Sequence, residues 1–156
     1  MSLMNQSTLW QSVKATYAIP SMEPLCLILQ DRYDISVTVL LWALWLDQTQ
    51  VEFDKGFWLQ ANQKVAWRNF VIKRLRALRR KLPKTKYDAN LRNNIKNLEV
   101  TTEKKLLEKL ERLTKLHQSL KQPENIQPQS YLSHYLSEYG AADYIDKVRQ
   151  LAAIQE

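Results

Sequence analysis

Apolar residues recur along this chain at helical spacing, and prolines and capping residues cut the recurrence into segments. Leu9, Val13 and Tyr17 form the first stripe, with Ser7 or Thr8 positioned to cap it and Pro20 to stop it. Ser21 and Pro24 open a second segment, in which Leu25, Ile28 and Leu29 keep the same spacing. The next run, Ile35 to Leu46, is apolar almost throughout. Its β-branched start (Ile35, Val37, Thr38, Val39) suits a strand. Trp42 to Leu46 carry it past ordinary strand length, however, and no second strand exists to pair with it. A buried helix is expected. It falls well short of the ~20 residues a bilayer crossing needs, so it belongs to a core.

Two longer helices follow. Asp54 can cap the first, which runs to Pro83. On a helical wheel, Ala61, Val65, Val71, Ile72, Leu75, Leu78 and Leu82 share one arc. Arg68 and Arg79 fall inside that arc, Lys73, Arg76 and Arg80 project from one flank, and Arg74 and Lys81 lie opposite it. Asp88 can cap the second long helix, expected to reach about Lys121 along a seam of Leu91, Ile95, Leu98, Leu106, Leu110, Leu113 and Leu120. Glu108–Arg112 and Glu111–Lys115 place opposite charges at i,i+4 spacing on it. Residues 122–129 read as a Pro-containing linker. Two short helices over 130–154 close the chain, separated by Gly140 as a C-cap.

The fold class this predicts is all-α: a compact helical bundle (8–83), one long amphipathic helix (88–121) and a small C-terminal helical hairpin, forming a single domain over 1–156. Composition agrees. Only 2 of 156 residues are glycine, too few for the turns of a β-sandwich or for a Gly-rich phosphate loop. The single cysteine, Cys26, sits in an apolar run and cannot form an internal disulfide, which suits a reducing compartment and a cytoplasmic protein. The first residues carry neither a basic nor an apolar signal region, and no membrane partner is expected.

Charge changes the picture more. The net charge is +7, yet residues 1–63 hold three bases (Lys14, Arg32, Lys55) against six acids (Glu23, Asp31, Asp34, Asp47, Glu52, Asp54). Residues 87–156 balance. The excess lies in 64–86, where Lys64, Arg68, Lys73, Arg74, Arg76, Arg79, Arg80, Lys81, Lys84 and Lys86 meet no acid. Such a block repels itself unless an anion lies close: nucleic acid, an acidic partner, or carboxylates elsewhere in the fold.

Three stretches, "LWQSVKATYAIPSMEPLCLILQDRYDISVTVLLWALWL", "AWRNFVIKRLRALRRKL" and "LRNNIKNLEV", together resemble a family of short bacterial proteins catalogued only as a domain of unknown function. The likeness runs from Leu9 to about Leu116, with a weaker echo in "YLSHYLSEYG". Its most specific piece is Trp67-Arg68 followed by Leu75-Arg76-Ala77-Leu78-Arg79-Arg80. Thr38 stands where the family has Asn, and Arg74 where it has Pro, which bears on whether the basic helix is kinked here. The resemblance implies a cytoplasmic helical protein and brings no catalytic chemistry with it.

Few constellations carry chemistry. His117 and His134 lie in different elements without nearby cysteine, so no metal site is expected and both read as solvated surface residues. No cofactor motif, nucleophile elbow or triad order is present, and an enzyme ranks third among the readings. Trp42, Trp45 and Trp58 read as packing residues, and Trp67, beside Arg68, as the exception. Arg68 and Arg79 either pair with Asp31, Asp34 or Glu99, or line an anion pocket. The leading expectation is a non-catalytic protein using 64–86 on nucleic acid or a ribonucleoprotein, largely without sequence preference. Its site residues are Trp67, Arg68, Lys73, Arg74, Arg76, Arg79, Arg80, Lys81, Lys84 and Lys86. The alternative is a protein partner, or a homo-oligomer docking through the seam of helix 88–121.

Overall fold

A computed structural model describes residues 8–120 and 129–153. Among them are seven α-helices and no strand: α1 (Leu9–Tyr17), α2 (Met22–Tyr33), α3 (Val37–Gln48), α4 (Lys55–Lys81), α5 (Ala89–Ser119), α6 (Tyr131–Glu138) and α7 (Ile145–Ala153). Short 3₁₀ turns at Lys86–Asp88 and Ala142–Tyr144 precede α5 and α7.

Local chemistry sets the helix starts. Thr8 and Gln11 form a reciprocal capping box on α1, satisfying two orphan amides. Ser36 caps α3 through Val39 N–H, and Asp54 caps α4 through Phe57 N–H at 3.1 Å. The β-branched start of α3 is therefore helical, because a cap and a long apolar run outweigh local strand propensity. Two expected caps work otherwise. Ser21 lies in the left-handed region (φ 72°) and makes no side-chain cap bond. Asp88 does not cap α5, and instead accepts a 2.7 Å bond from the Thr85 hydroxyl. Gly140 takes φ 74° just past α6, the conformation glycine adopts most cheaply. The linker expected over 122–129 lies almost wholly outside the described residues, as do the capping position Ser7 and the helix ends at Lys121 and Ile154.

The apolar α3 is the centre of the core. Leu40, Trp42, Ala43 and Leu46 are fully buried, and α1, α2, α5 and α6 pack around the helix. Trp42 stacks parallel on Trp58 of α4, with centroids 5.2 Å apart, and its indole N–H donates to Thr114 of α5 at 3.2 Å. A buried indole needs such an acceptor. From the C-terminal side, α6 inserts Tyr131 and Leu132. The Tyr131 hydroxyl donates to the Glu52 carbonyl at 2.7 Å and accepts from Asp54 N–H at 3.0 Å. Asp47, at the end of α3, accepts from the Tyr131 and Leu132 amides at 2.9 and 3.1 Å, so one helix caps another. One apolar cluster runs from Leu9 to Ala152.

Both histidines belong to this packing, against the expectation that they are solvated. His117 stacks on Phe57 at 4.0 Å, and His134 lies against Phe53 and Trp58 and beside Glu138. Each ring is mostly apolar and fills space that a solvated side chain would leave open.

The most extensive pairing joins α4 and α5 into an antiparallel hairpin, which continues beyond the core: the cluster has no member past Ile72 on α4 or before Leu106 on α5. The expected leucine seam of α5 divides accordingly. Leu106 and Leu110 are buried in the bundle and Leu113 packs against it, whereas Leu91, Leu98 and Leu120 are exposed. Of the two i,i+4 pairs expected on α5, Glu111–Lys115 forms at 3.8 Å, and Glu111 also accepts from the Leu9 amide. Glu108 and Arg112 form no pair among the described residues.

Candidate functional site

The basic stretch occupies the second half of α4 and the turn after it. Nothing interrupts the helix at Arg74, where proline would remove a hydrogen bond, so α4 is continuous over Lys55–Lys81. Continuity fixes the angular positions of the eight bases within α4 and sorts them into groups with different fates, while Lys84 and Lys86 lie in the turn beyond.

One group turns toward carboxylates of α2 and α5. Lys73 meets Asp34 at 3.0 Å and Arg80 meets Asp31 at 3.0 Å, tethering α4 to the end of α2. The Arg80 hydrogen bond holds the Asp31 carboxyl below its ordinary range. Arg76 reaches Glu103 of α5 at 3.8 Å. Burial pushes the Glu103 carboxyl above the ordinary value, and the Arg76 charge opposes that only in part. Arg79 sends Nε to both oxygens of the buried Glu99 at 3.2 Å, and Nη2 to Oε2 at 3.2 Å. This is the fork geometry that suits a guanidinium to a carboxylate.

Lys73, Arg76 and Arg80, expected on one flank of the arc, each meet a carboxylate within the fold. Arg68 departs from the pairing reading. It is half-buried and forms no ion pair with a described residue, so its removal strands no described carboxylate.

The second group faces away. Arg74, Lys81, Lys84 and Lys86 are exposed and make no ion pair with a described residue. Trp67 shares this side and is 73% exposed. Two residues outside the expected site join them, Phe70 at 57% and Leu78 at 50% exposed. Leu78, expected within the apolar arc, sits at its edge, where the hairpin has outrun the core. Arg74 lies over the Phe70 ring, 5.4 Å from its centroid. The spacing Trp67, Phe70, Arg74, Leu78, Lys81 is 3, 4, 4 and 3, the signature of one helical face. That spacing was readable from sequence.

Elsewhere, Asp54, Phe57, Lys64, Leu113, His117 and Leu120 line a groove of about 330 Å³ where α4 begins and α5 ends. Among the described residues no group of three or more His, Cys, Asp or Glu side chains is arranged to hold a metal ion, and no helix is long and apolar enough to cross a membrane. Cys26 is fully buried.

Comparison with known proteins adds one finding. No curated protein and no solved structure matches the chain. A family model described as "Protein of unknown function (DUF2390)" matches residues 8–110, from the α1 cap through most of α5, and so takes in all of α4 and its carboxylate partners. With about two thirds of its length matched, the chain belongs to the DUF2390 family.

Proposed function

We propose that this is a non-catalytic binding protein that lays the outer face of α4 and its exit turn on the phosphate backbone of nucleic acid, free or in a ribonucleoprotein, without strong sequence preference. The observation that carries the reading is what remains after internal pairing. Asp31, Asp34, Glu99 and Glu103 engage Arg80, Lys73, Arg79 and Arg76, while Arg74, Lys81, Lys84 and Lys86 stay exposed with no acid in residues 64–86. A single-sign patch of this kind gains from releasing the counterions condensed on a polyphosphate. Base-edge readout is not part of the reading, because no recognition motif accompanies the patch. The single buried thiol suits a reducing compartment, and we infer a cytoplasmic setting on that ground.

Fluorescence anisotropy of labelled RNA and DNA at two salt concentrations tests it. On duplex DNA, log affinity should fall with log salt at a slope near −0.9 per phosphate contact. Replacing Arg74, Lys81, Lys84 and Lys86 together by Gln should flatten that slope by about 3 to 4, with the thermal melt unchanged. No binding at low salt refutes the proposal.

A second reading, docking of a protein partner or a second copy on α5, is favoured by the exposed Leu91, Leu98, Leu116 and Leu120. Sedimentation across micromolar to millimolar concentration tests the self-association arm, which a strict monomer removes.

A further inference from the structure

We infer that the ridge Trp67–Phe70–Arg74–Leu78–Lys81 is a stacking platform for unpaired bases, so that the nucleic acid held by α4 is single-stranded. The inference rests on the phosphate-contact reading above and adds the substrate class to it.

Charge alone does not explain this face. Phosphate contact needs only lysines and arginines, and an exposed indole contributes nothing to it. Yet Trp67 and Phe70 stand beside those bases, 73% and 57% exposed, on the helix face turned away from the core. The other described tryptophans behave differently: Trp42 and Trp58 are buried against each other, and Trp10 and Trp45 are half-buried against the core.

The ridge spans about 80° of the helix circumference and about 21 Å of its length, at 1.5 Å per residue. Planar groups follow one another along it: the indole, the phenyl ring, and the guanidinium lying over that ring at 5.4 Å. Aromatic faces and arginine planes are the groups on which unstacked bases settle. Lys81 ends the ridge, and the exposed Lys84 and Lys86 follow in the exit turn, where positive charge suits the backbone of the same strand. Asp31, Asp34, Glu99 and Glu103 pair with other bases of α4, which neutralises their charge toward a polyanion on the ridge. A duplex hides its base faces and leaves the two rings without a partner. An acidic peptide would satisfy the charges and likewise leave the rings unexplained.

The test uses the full chain with a short oligo(dT), a hairpin duplex of matching length and a poly-glutamate peptide. Oligo(dT) is expected to quench the exposed Trp67 and to bind more tightly than the duplex. Trp67→Ala should weaken oligo(dT) about tenfold, leaving the salt slope and the duplex affinity unchanged, and Trp67→Phe should restore most of the loss. A thermal melt confirms that the variants fold.

Oligo(dT) affinity unmoved by both Trp67→Ala and Phe70→Ala, or equal losses on single strand and duplex, overturns the stacking platform. If the four-Gln variant still weakens both nucleic acids in that case, backbone contact survives without it. No binding of either nucleic acid at low salt overturns both proposals. Poly-glutamate bound as tightly as oligo(dT), with the same dependence on Trp67, overturns the inference in favour of an acidic protein partner.

Discussion

Removing Arg79 separates a buried ion pair from an exposed one on the same helix. The Glu99 side chain is 7% exposed, and Arg79, at 31%, supplies its charged partner through three contacts of 3.2 Å. Breaking a fully buried pair from one side costs about 3–5 kcal/mol, because a desolvated charge is left behind. Here the arginine is nearly a third open to water. Its loss would admit solvent to one side of the carboxylate, which lowers the expected cost of Arg79→Ala to about 2–3 kcal/mol. Arg80, one residue on, makes the same kind of contact with the half-exposed Asp31. Arg80→Ala should therefore cost no more than about 1 kcal/mol, the range of exposed pairs. Both variants lose one positive charge from the same stretch, so the difference between them isolates burial. Urea unfolding at neutral pH, with the slope held constant, measures it. Arg79→Met combined with Glu99→Leu removes both charges and should recover most of the loss. Equal costs for Arg79→Ala and Arg80→Ala would refute the argument, since Glu99 would then be solvated in solution.

Three further outcomes follow from the same structure. Glu103 holds its proton above the ordinary value of 4.5, so the folded state binds more protons than the unfolded one between that value and the folded pKa. Stability from this group falls as pH rises through that window, and Glu103→Gln should abolish that slope in urea melts at successive pH values. Burial, with Glu23 nearby, pushes the Cys26 thiol up to about 12; a thiol reagent should label it only as fast as the protein opens, and rapid labelling of native protein would contradict the core described for α2. Asp47→Ala removes the acceptor of the Tyr131 and Leu132 amides and should cost about 1–2 kcal/mol. Hydrogen exchange should then quicken at those two amides before it does in α3.

The helices were legible in the sequence because their determinants are local. The Thr8 cap, Pro83 and the spacing of Leu106 and Leu110 act within a turn or two of themselves. The apolar run at Ile35 to Leu46 was readable by length, despite its β-branched start. What sequence could not assign is which face meets which neighbour once helices pack. His117 and His134 looked solvated because nothing nearby in sequence predicts Phe57, Phe53 or Trp58 beside them. The same holds for the basic stretch. Ten like charges were visible, but the pairing of Lys73 with Asp34 spans 39 residues and that of Arg80 with Asp31 spans 49. Leu78 was misassigned because a wheel treats α4 as equally covered along its length, whereas the core ends at Ile72.

The seat of α6 on α3 has a consequence for how the chain is made. Asp47 and Tyr131, which join the two helices, lie 84 residues apart. At the ~5–20 residues per second of translation, α3 leaves the ribosome roughly 4–17 s before the helix that completes its cover. During that interval α1 and α2 are already available to it, but the side that receives Tyr131, Leu132 and Leu136 stays open. The most apolar helix of the protein is thus synthesised early and sealed last. A ribosome stalled within α5 would present that open side of α3 to chaperones and proteases.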